Sequence, residues 1–103
     1  MRELVGDTYY VAVRTAGPAW DASRAMREQE RWDDHAAFMD GLAAEGWIVL
    51  GGPLGDGRRA LHIVAAAGAE EVKERLAADP WAELDVLRLE SVERWQILLR
   101  AGR

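Results

Sequence analysis

Apolar residues change their spacing in a set order along this chain, and that order leaves few folds open. From Thr8 to Arg14 the run Thr-Tyr-Tyr-Val-Ala-Val-Arg is β-branched and aromatic, the composition of a strand, and Gly17-Pro18 closes it. From Arg31 to Glu45 the positions Trp32, His35, Phe38, Met39 and Leu42 recur every three or four residues, which predicts an amphipathic helix. Gly46 stops it in the C′ position that favours glycine. Trp47 to Leu50 follows as a second strand, Gly51 to Gly57 as a turn-rich connection, and Arg59 to Ala66 as a third strand completing a hairpin. Ala69 to Ala78 is a second helix, with Glu70 and Glu71 at its positive end, ended by Asp79-Pro80. A last strand is expected from Val92 to Leu99. The stretch 19–30 is polar with sparse apolar positions, and helix, ordered loop and lid all stand open for it.

Strand, helix, strand, strand, helix, strand is the split βαβ order of the α+β ferredoxin-like fold: βαββαβ, a four-stranded antiparallel sheet with two helices on one face. Two helices cover only that face. The second strand puts Trp47 and Val49 on one side and Ile48 and Leu50 on the other, and the third alternates Leu61 and Ile63 with His62 and Val64. Both faces are apolar, and an apolar face of that size is seldom left wet, so a homodimer packing sheet on sheet through the open face is predicted. His62, opposite Leu61 and Ile63, is assigned to that interface.

At 103 residues, 50% hydrophobic and 30% charged, the chain 1–103 is read as one domain with one core. No cysteine is present, which excludes a disulfide, a thiolate nucleophile and a cysteine-ligated zinc site. A net charge of −5, spread along the chain, argues against nucleic acid as a partner, and Arg58-Arg59 is too small a patch to reverse that. No run reaches transmembrane length and Met1 to Thr8 lacks an apolar signal-type stretch, so no membrane association and a cytoplasmic location are expected. Arginine almost to the exclusion of lysine, with Lys73 the only one, and abundant alanine suggest a GC-rich bacterial genome.

His35 and Asp79 are the candidate chemical groups. A histidine and a carboxylate in one pocket make a proton-handling pair: the carboxylate fixes the imidazole tautomer and the imidazole moves the proton. His35 also lies early in its helix, where the positive end disfavours imidazolium and keeps the ring a base. The bland alternatives are a satisfied core histidine and an Asp-Pro turn former, and Trp81 either walls a pocket or fills the core. No metal is expected, because the two histidines stand on different elements without ligand spacing, and the Asp33-Asp34-His35 neighbours point in different directions. The glycine-rich loop lacks the Lys and Ser/Thr of a phosphate-binding P-loop and leads into a strand, so it is read as a hairpin turn. No Ser-His-Asp order or nucleophile elbow is present.

His35, Gly46, Gly52-Pro53 and Asp79-Pro80 followed by the aromatic Trp81, in that order, make the chain resemble the YciI-like, or YCII-related, family of dimeric α/β-barrel proteins from Tyr9 to Leu99. The resemblance implies a dimer whose pocket holds a His–Asp pair, here His35 and Asp79, and a lyase-like dehydrochlorination of a hydroxylated aromatic ring in the wider family. Two positions depart from it. Trp32 stands where many members have an arginine, with Arg31 one step away, and Arg94 replaces a proline common in the last strand. A pocket without that fixed cation favours a less anionic ligand unless Arg31 turns in. The expected protein is a small enzyme without a cofactor, with His35 and Asp79 catalytic and Arg31, Trp32, Phe38, Gly52, Pro53 and Trp81 around a cyclic or aromatic small molecule undergoing elimination or isomerisation. The rival is a non-catalytic module that binds a small ligand or serves as an accessory dimer.

Overall fold

The computed structural model describes residues 9–102, so Thr8 and the rest of the start lie outside the described residues. Four strands, β1 (Tyr9–Ala16), β2 (Ile48–Leu54), β3 (Arg59–Val64) and β4 (Leu87–Trp95), form one sheet in the order β2-β3-β1-β4. Every pairing is antiparallel. Helices α1 (Trp32–Ala44) and α2 (Ala69–Ala77) cross one face, and a single turn, α3 (Pro80–Glu83), follows α2. This is the ferredoxin-like α+β fold that the order of elements predicts.

Between helices and sheet, Ala12, Leu42, Trp47, Ile48, Val64, Val72 and Leu76 form the main core, with Phe38 and Met39 packed against it. Fully burying a side chain such as Val72 or Leu76 contributes about 1.5–3 kcal/mol. Gly46, at φ 81°, ends α1 as the sequence predicts: its N–H bonds to the Ala43 carbonyl and that of Trp47 to the Leu42 carbonyl, which turns Trp47 into the core. On the other face Tyr9, Ile63 and Ile97 cluster with Val11, Val49 and Leu61.

Several boundaries differ from the sequence reading. β4 begins at Leu87 and ends at Trp95, not Val92 to Leu99. It is an edge strand paired only with β1, so Arg88, Glu90 and Glu93 are tolerated within it and dilute its apolar signal. Beyond it the expected alternation fails: Ile97 is buried on the open face while Leu98 and Leu99 are exposed. β2 runs through Gly51-Gly52-Pro53 to Leu54, and the turn is only the following four residues. Pro53 fits because β2 is the other edge of the sheet. A register shift between Ile48 and Leu50 also lets Trp47 and Ile48 both face the core, against the simple alternation. Segment 19–30 is irregular apart from one 3-10 turn at Met26–Glu28. It is built around the buried Gln29, whose amide accepts from Asp21 N at 2.9 Å and donates to the carbonyls of Asp21 and Arg24.

His62 requires the plainest correction. It pairs with Ala12 across β1, and the face they share is the one under the helices, not the open one. Period-two alternation separates the faces of a strand, but with both faces apolar it cannot tell which one the helices cover.

Candidate active site

Asp79 is fully buried, and local sequence dictates its pose. It caps α3, its Oδ1 accepting from Trp81 N at 2.9 Å, while Pro80 occupies the first helical position, where no N–H is needed. Asp-Pro thus starts a helix as well as stopping α2. Oδ2 is left free for side chains and receives two: Arg14 Nη1 at 2.8 Å and His35 Nδ1 at 2.8 Å. His35 sits in the first turn of α1, its N–H bonded to the Arg31 carbonyl, and its ring stacks on Trp81 with centroids 3.8 Å apart and planes 7° from parallel. Trp81 is fixed in turn, its Nε1 donating to the Glu30 carbonyl at 2.7 Å.

Electrostatics settle the tautomer. Burial pushes the Asp79 carboxyl up, but the bond from His35, the Arg14 charge and the bonds from Trp81 and Arg14 outweigh it and hold the carboxyl below its usual range. Burial lowers Arg14 while Asp79 pulls it back, and a guanidinium stays charged throughout. An ionised carboxylate only accepts, so His35 must carry its proton on Nδ1. Nε2 keeps the lone pair and is the basic nitrogen.

His35 lines a cavity of about 300 Å³ between α1, β2 and the start of β3. Trp32, Met39 and Pro53 supply apolar wall, and His62 and Asp40 are among its polar groups. A cavity of that size, mostly apolar with a few polar groups, suits one small ring. Of the residues named from sequence, Trp32, His35, Gly52 and Pro53 line it. Asp79 and Trp81 stand behind and beneath His35 instead of on the cavity wall. Phe38 packs against the main core, and Arg31 points its Nε at Asp34 Oδ2, 2.8 Å away on the surface.

Two members of the cluster escaped the sequence reading. Arg14, 1% exposed, also donates from Nη2 to Met39 Sδ and from Nε to His62 Nε2 at 3.4 Å. Its signal was present: Tyr10, Ala12 and Arg14 alternate on one face of β1, so an arginine falls in phase with the core. For His62, strand alternation alone points to the wrong face. Among the described residues no three His, Cys, Asp or Glu side chains gather closely enough to hold a metal ion.

An antiparallel split-βαβ sheet carrying a buried arginine–carboxylate–imidazole cluster behind a small cavity defines a class of ferredoxin-like α+β proteins. The family is more specific: the model of the YCII-related domain matches residues 8–96, and the chain belongs to that family. A search of curated proteins gave no match. Four solved chains match. One is 5-chloro-2-hydroxyhydroquinone dehydrochlorinase from Burkholderia phenoliruptrix AC1100, in complex with 2,5-dihydroxybenzoquinone. It is 25% identical to this chain, with a TM-score of 0.60 over 86% of this chain and 93% of that one.

Proposed function

We propose that this protein is a small lyase or isomerase that abstracts a proton from a hydroxylated or quinonoid ring, with His35 Nε2 as the base. The observation that carries this reading is the 2.8 Å bond between His35 Nδ1 and a buried, ionised Asp79 at the edge of a ring-sized cavity. Asp79 orients the imidazole and stabilises the imidazolium that forms, and the stacked Trp81 favours that cation as well. As the proton leaves, its bonding electrons pass into the ring. They expel a substituent such as chloride in an elimination, or draw the proton back at another atom in an isomerisation. The activity in the name of the matching dehydrochlorinase supports this class of chemistry.

Assay of chlorinated and unchlorinated hydroxyhydroquinones, followed by chloride release and quinone absorbance, tests the proposal. Turnover is expected in the native protein, reduced at least ~100-fold by His35→Gln. Asp79→Asn is expected to act similarly, through the wrong tautomer. Binding without any product would instead make the protein a ligand-binding module. Unfolding of His35→Gln would make the histidine structural.

The working unit is proposed to be a homodimer closed through the open sheet face. Val11, Val49 and Leu61 are only half-buried there, and strand register sets exposed Leu50 beside Ile63 and exposed Trp95 beside Tyr9.

A further inference from the structure

His62 has one ring nitrogen in use and one idle. Nε2 accepts from Arg14 Nε at 3.4 Å, and a guanidinium has nothing but donors to offer. The proton of the neutral ring must therefore sit on Nδ1. Neutrality is well supported: burial, then the nearby charges of Arg14 and His35, outweigh Asp79 and push the His62 pKa down to about 4. Among the described residues, Nδ1 of His62 is the buried side-chain nitrogen or oxygen that lacks a hydrogen-bond partner. Native proteins seldom leave a buried donor in that state without a reason in function.

Position supplies the reason. His62 lines the same cavity as His35, and its neighbour across the hairpin is Gly51, which lines it too. A Cβ on Gly51 would stand 3.0 Å from His62 Nδ1, closer than a side chain normally packs. Glycine keeps that space clear, although its φ does not demand glycine. An idle N–H therefore lies covered against Gly51 at the margin of the cavity, beside the basic histidine.

We propose that His62 is a ligand-binding residue that donates Nδ1–H to a carbonyl or enolate oxygen of the molecule whose proton His35 takes, and that Gly51 is kept small so that this oxygen reaches the covered N–H when the edge strand β2 shifts to receive it. This deepens, and rests on, the proton-abstraction reading above. It narrows the substrate class to rings carrying an oxygen acceptor close to the acidic proton, as in hydroxyquinones and α-hydroxyketones. Negative charge that develops on that oxygen as the proton leaves meets a neutral donor, which holds it without protonating it.

The probe is 2,5-dihydroxybenzoquinone, whose binding is followed by absorbance, with nitrogen-15 imidazole NMR on the same samples. The free protein should show His62 as the Nδ1–H tautomer, and the probe should shift that resonance downfield. His62→Leu, which removes the donor, and Gly51→Ala, which blocks the approach to it, should each weaken binding about tenfold. His62→Asn, whose amide nitrogen falls near Nδ1, should restore most of it. An Nε2–H tautomer would overturn the inference whatever the variants do. Equal binding by the native protein, His62→Leu and Gly51→Ala would overturn it while leaving the proton-abstraction reading standing. A native protein that neither binds the probe nor shows any His35 perturbation would overturn that reading, and this inference with it.

Discussion

Arg14 holds Asp79 and His62 at once, and its burial makes the protonation states around it interdependent. That coupling has a pH signature. His62 falls to about 4 in the fold from 6.5, so the folded state refuses a proton that the unfolded chain accepts between those values. Stability from this group is complete above about pH 6.5 and is lost as the pH falls to about 4, an effect of roughly 3 kcal/mol. Asp79, depressed in the fold, contributes stability that is present above the unfolded carboxyl pKa of about 3.9 and is lost at still lower pH. Arg14, His35 and Asp79 are the charged or titratable groups acting on His62. Melting curves should therefore show Tm falling by more than about 10 °C from pH 7 to pH 4. In His62→Asn the fall should begin only near pH 4. A native Tm that is flat over that range would refute the assignment of a neutral, buried His62.

The elements position the site through two tight joints. One is the Asp79 cap on α3, and the other is the crossing of Gly17 against residue 85, where Gly17 N bonds to the Val86 carbonyl. A Cβ on Gly17 would lie 2.2 Å from the Asp85 carbonyl oxygen, a backbone atom that cannot swing aside. Gly17→Ala should therefore lower Tm more than Gly46→Ala, whose Cβ meets nothing and whose cost is the positive φ alone, about 1–2 kcal/mol. Thermal denaturation of the two variants checks the order. The contrast also marks what sequence could reveal. Gly46 was legible because a helix pattern ended beside it, whereas the partner of Gly17 lies 68 positions away and no local pattern announces it. For the same reason α1 and α2 were placed to within a residue or so, while β4, with charged side chains on an edge, and α3, a single turn, were misplaced or missed. His35 and Asp79 were legible as a pair through family resemblance. Arg14 and His62 were not, because their roles depend on which sheet face the helices choose.

On the scale of the whole molecule, that choice of face divides the labour: one side of the sheet carries the site and the other offers apolar surface. Light scattering should give twice the chain mass for the native protein. Leu61→Glu, which charges the open face away from the cavity, should shift it to the monomer mass. A native monomer at micromolar concentration would end the dimer proposal. The seat of His35 on Trp81 has a further, optical consequence. Trp32 adjoins both the imidazole and Trp81, and Trp20 adjoins Trp81, so two indoles meet the imidazole and a third stands one ring further out. An excited indole gives up an electron more readily to a protonated imidazole than to a neutral one, and its emission dims as it does. The proposed base is thus pressed against a built-in lamp, and the ultraviolet glow of the unlabelled protein should follow each proton His35 acquires.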